Sequence, residues 1–500
     1  MPLQNTSEPA LTGRTSSRLP PAGAPQDAAD ARNLRSLRHS TRDGIAFSVM
    51  SGAGETYLSA YALFLKATAE QIAWLASIPP LIGATLQLVS AWLGGRGTPR
   101  KTLIVVGACV QGLIWLPLVL LPLVMPAHAV PLLIGCVVLY HACSNFIQPQ
   151  WSSLMRDLVP EKRRGRYFGQ RTRIASLTAF IALVSAGGVL AAFNRHEATL
   201  AGFMVIFLIA GIARFVSVYH LGRMHDPQLS GRVERARIFT GVWRSLKFLR
   251  GSQFLHFSLF FACMQCAVAI ASPFFTLYML RDLGYSYAQF MAASASAVIM
   301  QILTLNGWGR ISDLFGNRLV LVVTGWLIPI VPALWLFSTN FWYLLAVQAL
   351  GGLAWAGFSL SAGNFLYDLR PGPRLARDMA VHNVLASIGI FAGALLGGYM
   401  ATHLPDSGVT TAGVSLHWEF ALLAVFGVSA LARLAVAGIF LPRLKEIRQV
   451  RELSISTLVF RVTRVHALSG LMFDIVAPRE KPASAGAPTP ALEAARAARS

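Results

Sequence analysis

Twelve stretches of about twenty mostly apolar residues follow one another along this chain. They lie near 44–65, 71–94, 102–125, 130–152, 174–194, 199–221, 254–280, 289–308, 319–338, 341–366, 379–404 and 418–441. A hydrocarbon core ~30 Å thick needs about 20 residues of helix to cross it. In lipid only a helix or a closed barrel satisfies its own backbone. The pattern therefore predicts an all-α membrane protein with twelve transmembrane helices, here called spans 1 to 12. Composition agrees, with 54% hydrophobic and 13% charged residues among 500, too little charge to clothe a soluble surface of that size.

The net charge of +21 could suggest nucleic acid, but its placement says otherwise. Of the 43 Lys and Arg residues, 38 lie in the two tails and in the loops after the even-numbered spans. The loops after odd-numbered spans hold only Lys66, Arg195 and Arg281, and Arg214 and Arg433 fall inside spans 6 and 12. Basic residues mark the cytoplasmic side, so both termini are expected there, with no nucleic-acid partner. Residues 1–43, without an apolar run, read as a disordered cytoplasmic tail, as do residues 479–500. Residues 443–478 place apolar side chains at helical spacing among basic ones, as a helix on lipid or one packed on the loops would.

The chain also repeats itself. Asp157-Leu158-x-Pro160-x-x-Arg163-x-x-Arg166 follows span 4, and Asp368-Leu369-x-Pro371-x-x-Arg374-x-x-Arg377 follows span 10, 211 residues later. Ala213-Arg214 in span 6 matches Ala432-Arg433 in span 12, and Leu86-Gln87-Leu88 in span 2 recurs as Met300-Gln301-Ile302 in span 8. The expectation is two six-helix pseudo-repeats, residues 44–221 and 254–442, joined by a cytoplasmic linker at 222–253. A site between such halves is the plan of parallel-repeat membrane proteins.

Polar side chains inside the spans suggest where that site lies. Glu55 stands mid-way along span 1, where a charge costs ~2.5–3.5 kcal/mol on insertion scales. It shares a face with Ser48, Gly52 and Ser59. It either exchanges a proton or ties span 1 to a neighbour as a neutral acid. Span 4 carries His141, Asn145, Gln148 and Ser152 on one stripe; span 7 carries Gln265, Ser272 and Thr276; span 10 carries Gln348, Trp355 and Ser359. Lipid cannot satisfy such stripes, so they should face protein or water. These four spans hold no Lys or Arg, which favours a neutral, cationic or amphipathic solute. Arg214 and Arg433, about two turns from the ends of their spans, read as residues that snorkel to the interface. Cys109, Cys136, Cys143, Cys263 and Cys266 read as packing residues, although Cys263-x-x-Cys266 has the spacing of a metal or redox pair. No metal site or cofactor is expected. No nucleophile–base spacing, phosphate-binding loop or ligand cluster suggests an enzyme.

After span 8 the sequence runs Gly309-Arg-Ile-Ser-Asp313-Leu-Phe-Gly316-Asn-Arg318. With the repeated Asp-x-x-Pro segments and the helix count, it resembles the major facilitator superfamily over residues 44–441. The loop after span 2 is four residues shorter between Gln87 and Arg100 than its counterpart between Gln301 and Arg318, and it lacks the acid. Span 5 lacks the Gly-Pro signature of drug–proton antiporters. Span 11 instead carries Gly389-x-x-x-Gly393-x-x-x-Gly397, which close helix packing explains.

The resemblance implies alternating access. The two halves would rock about a midplane site lined by spans 1, 4, 7 and 10, in a monomer of the bacterial inner membrane. Glu55, His141, Asn145, Gln148, Gln265, Ser272, Trp355 and Ser359 would serve the solute or a proton. Gly309, Asp313, Gly316, Arg318, Asp157, Arg163, Arg166, Asp368, Arg374 and Arg377 would form cytoplasmic latches, although the arginines could equally be topology anchors. The alternative is a non-transporting sensor or assembly factor on the same scaffold.

Overall fold

The computed structural model describes residues 24–94, 98–159, 164–226, 252–369, 375–405, 409–411, 414–416 and 421–446. The expected linker and the 443–478 helix fall mostly outside these residues, and 479–500 falls wholly outside them. The first half comprises α1 (Ala24–Ala53), α2 (Leu58–Phe64), α3 (Ala69–Gly94), α4 (Arg100–Leu113), α5 (Trp115–Val124), α6 (Ala129–Leu158), α7 (Arg164–Arg195) and α8 (Thr199–Arg223). The second comprises α9 (Gln253–Ala269), α10 (Phe274–Leu277), α11 (Tyr287–Phe315), α12 (Asn317–Leu334), α13 (Phe341–Leu369), α14 (Leu375–His403) and α15 (Ala421–Phe440). A short antiparallel pair, β1 (Val409–Thr411) and β2 (Val414–Leu416), precedes α15.

Among the described residues, eleven helices are long and apolar enough to cross a membrane. Span 1 is not one of them, because polar residues such as Ser48, Ser51 and Glu55 lower its hydropathy; it is also broken. Its helix stops at Ala53, passes through a 3₁₀ turn at Glu55–Tyr57 and restarts at Leu58. Span 7 breaks at the corresponding place, between Ala269 and Phe274. The outward residues are those a lipid-facing surface requires: Leu116, Leu123, Leu208, Ile212, Leu303 and Leu431 are all exposed.

The start of span 1 differs from the sequence reading. The segment expected to be a tail up to residue 43 is helical from Ala24. Ser36, Ser40 and Asp43 recur at helical spacing and are buried; the Ser40 hydroxyl donates to Met155 Sδ and the backbone N–H of His225 donates to Ser36 Oγ. Small polar residues on one helix face pack as well as apolar ones when each finds a partner, so low hydropathy was a poor sign of disorder here.

Packing repeats half by half. Span 1 (α1) lies on spans 5 and 6 (α7, α8), as span 7 (α9) lies on spans 11 and 12 (α14, α15). Spans 2 and 4 (α3, α6) pair as spans 8 and 10 (α11, α13) do. The halves meet through α3 on α14 and α7 on α11. The glycine stripe of α14 explains one tight pairing. A Cβ at Gly389, Gly393 or Gly397 would fall 2.3, 2.0 or 2.1 Å from the carbonyl oxygens of Ala262, Cys266 and Ile270, so only glycine lets the backbones of spans 7 and 11 touch.

The two ends of the bundle differ. At the end bearing Lys66 and Arg281, one apolar core runs through both halves, from Tyr57, Tyr61, Trp115 and Phe203 to Phe274, Tyr278, Trp335 and Phe426. Rings cross the divide there, Tyr57 to Phe290 at 6.2 Å and Phe203 to Tyr287 at 5.7 Å between centroids, and α2 rests on α10. At the end bearing the basic loops the core separates by half. Ile104, Ile147, Leu154 and Leu158 cluster on one side; Phe254, Phe257, Leu321 and Phe365 cluster on the other.

Candidate functional site

The break in span 1 sets Glu55 just beneath the shared core. Its Oε2 accepts hydrogen bonds from Tyr140 OH at 3.0 Å and from Ser51 Oγ at 3.1 Å. The carboxyl is therefore directed at span 4 rather than at lipid. His141, next to Tyr140, stands edge-on to the Tyr140 ring at 5.2 Å between centroids.

Among the described residues, no hydrogen bond joins the polar stripe of one span to that of another. Asn145 donates to the His141 carbonyl at 2.9 Å, and Gln148 is exposed one turn further on. Ser272 is exposed at the break in span 7, and Ser359 is exposed on α13. Gln265 Oε1 is buried without a hydrogen-bond partner among the described residues. Trp355 is half-buried and stands edge-on to Phe358, a packing contact.

The latch residues are engaged within their own halves. Asp157 pairs with Arg100 at 2.7 Å, and Arg100 also pairs with Asp226 at 2.7 Å, tying the start of span 3 to the ends of spans 4 and 6. In the second half Asn317 takes the place of the arginine, donating to Asp368 Oδ2 at 2.7 Å and bonding the Ser312 hydroxyl. Gly316 has φ +88°, a backbone conformation that glycine adopts freely. It lets Glu446 cap α12 through the Arg318 N–H at 2.9 Å. Gly309 meets only Leu360, at ordinary contact distance. Asp313 is exposed. Arg163 and Arg374 lie outside the described residues, and only the backbone of Arg166 and Arg377 is described. One hydrogen bond joins the halves among those described, Asn383 Nδ2 to Gln87 Oε1 at 3.5 Å.

Two expectations are corrected. Arg214 and Arg433 do not snorkel; each is 2% exposed. Arg433 is held by backbone oxygens. Pro332 cannot donate to the carbonyl of Ile328, and Arg433 Nη1 donates to it instead at 3.3 Å. Arg433 Nη2 reaches Val268 O at the break of span 7, also at 3.3 Å. Tyr61 OH similarly bonds Leu118 O, which Pro122 leaves open, at 3.0 Å. Arg214 instead donates to Ser217 Oγ at 2.8 Å, and Ser217 donates to Asp43 Oδ1 at 2.6 Å. Second, the absence of bases from spans 1, 4, 7 and 10 does not leave the site without positive charge. Arg171 from span 5 and Arg214 from span 6 line the same cavity as Phe47 of span 1 and Gln148 of span 4.

A two-halved helical bundle that shares its core at one end and parts at the other, with an acid and polar stripes between, has the architecture of a membrane transporter. The sequence model of the Major Facilitator Superfamily matches residues 44–269 and again 255–473. The chain belongs to that superfamily, whose members are multi-pass transport proteins rather than enzymes. Over 166 residues it is 27% identical to a probable peptide/nitrate transporter of Arabidopsis thaliana, a match that covers 30% of this chain and 33% of the plant protein. A crystal structure of the nucleoside transporter NupG superposes with a TM-score of 0.59 at 11% identity, covering 83% of this chain and 99% of NupG. A mutant form of NupG gives a TM-score of 0.63 at 12% identity, covering 82% of this chain and all of that one. At such identity the likeness speaks for the fold.

Proposed function

We propose that this protein is a secondary active transporter that carries a small solute by alternating access, coupled to protons through Glu55. It crosses the membrane twelve times as a monomer in a bacterial plasma membrane, with the basic loops and both termini in the cytoplasm. The observation that carries the reading is the asymmetry of the core, continuous across the halves at the sparsely charged end and divided at the basic end. That is the inward-facing member of a pair of states. To reach the other state, the Tyr57–Phe290 and Phe203–Tyr287 contacts must part while the basic ends close. Closure would bring Asp313, Asp157 and Asp368, with the neighbouring arginines, into latches between the halves. Glu55 sits where the broken helices turn, so its charge state is placed to bias that exchange.

The test is flux through proteoliposomes across a panel of solutes, with and without an imposed pH gradient. Glu55→Gln should keep solute exchange between the two faces and lose gradient-driven accumulation. Unchanged accumulation in that variant would remove the proton role. Absence of flux for every solute would favour a sensor or assembly factor.

A further inference from the structure

The Glu55 cluster does not use the charges that lie deeper toward the basic end of the first half. There a cavity of about 270 Å³ is lined by Asp43, Phe47, Gln148, Trp151, Arg171 and Arg214, with Gln148 exposed at its mouth. Arg171 is fixed on three sides. It lies 4.6 Å above the Trp151 ring, donates from Nε to the Ser40 carbonyl at 3.2 Å and pairs with Asp43 Oδ2 at 3.3 Å. Asp43, 4% exposed, spends its other oxygen on Ser217, which also holds Arg214. Arg214 has its guanidinium 5.3 Å from the centre of the Phe47 ring, and its Nε has no hydrogen-bond partner among the described residues.

One carboxylate thus answers two guanidiniums, that of Arg214 buried and that of Arg171 18% exposed. Glu55 does not make up the difference, since its hydrogen bonds go to Tyr140 and Ser51. A buried charge is paired or costly, and a guanidinium with a free edge is shaped for a carboxylate. The surplus is one positive charge, which a monoanion neutralises and a dianion would overshoot. Phe47, Ile147 and Trp151 on the walls suit an apolar body.

We propose that this cavity is an anion subsite on the solute path, in which Arg171 and Arg214 hold the carboxylate of an organic monoanion. The word "path" rests on the transport reading; binding does not, so the two can fail separately. The experiment is thermal unfolding of the detergent-purified full chain with benzoate or phenylacetate. Benzamide and phenylacetamide serve as neutral analogues of the same shape, and chloride at equal ionic strength as the salt control.

The acids should raise the unfolding temperature by several degrees, and the amides and chloride should not. Arg171→Gln and Arg214→Gln should abolish the shift. Arg214→Lys, which keeps the charge without the fork, should retain a weaker one. Asp43→Asn, which removes the competing carboxylate, should tighten binding several-fold, an outcome that a merely structural network would not give. Equal shifts from acids and amides, an undiminished shift in Arg171→Gln, or no shift from either acid on the wild-type chain would overturn the proposal. Binding without flux would count against the transport reading alone.

Discussion

Arg214 and Arg433 occupy matching places in the two halves and are equally buried, yet they perform different tasks. Arg433 reaches the Ile328 carbonyl that Pro332 has left open and adds a further donor to Val268 O, and so staples spans 7, 9 and 12 together. Arg214 bonds one serine, is linked through it to the aspartate that pairs with Arg171, and has a buried Nε without a partner among the described residues at the edge of a cavity. The loop contacts also differ in detail: Asp157 pairs with Arg100, and one of the contacts of Asp368 is with the Asn317 amide. A duplicated scaffold can keep a residue in register while its chemistry is reassigned. In the second half the arginine completes the backbone's hydrogen bonding; in the first it is left available.

The contrast breaks most readily at Arg433. Replacing it with methionine should cost about 2–3 kcal/mol, since the buried Ile328 carbonyl loses its donor and Ser429 Oγ loses the bond from Arg433 Nε. The loss would appear as a large drop in unfolding temperature. Arg100→Leu should follow, at about 2 kcal/mol, because the partly buried Asp157 loses its charged partner and Asp226 loses one of its contacts. Raising salt should narrow the gap between that variant and the wild type. Gly393→Ala should cost about 1–3 kcal/mol through the clash with Cys266 O. Gly188→Ala, whose Cβ would meet nothing within 4 Å, serves as its control. The smallest effect is expected at Arg214→Met, within about 1 kcal/mol of wild type, because Asp43 retains Arg171 and Ser217. A loss there as large as at Arg433 would erase the distinction between the halves.

Much of the scaffold was legible because lipid imposes a length and a periodicity on each span, and because the repeat survives in short motifs such as those beginning at Asp157 and Asp368. The glycine stripe of span 11 was also legible, since small residues four apart leave few other readings. What escaped was set by contacts between residues distant in sequence. Asp43, Trp151, Arg171 and Arg214 come from four helices, and no local pattern joins them. The snorkelling reading of the two arginines failed because distance from a helix end does not say which way a side chain turns. One signal was available: Pro332 and Pro122 each leave a carbonyl four residues upstream in need of a donor, and Arg433 and Tyr61 supply it.

The backbone contact between spans 7 and 11 has a mechanical corollary. Three successive carbonyls of one helix nest against three glycines of the other, one turn apart, like the teeth of a rack. Slippage by less than a full pitch of ~5.4 Å would ram Cα atoms into oxygens. The pair must therefore travel as a single strut. Whatever motion opens the sealed end must pivot this strut as a unit, and the compliance has to be found at the joints near Ser272 and Glu55.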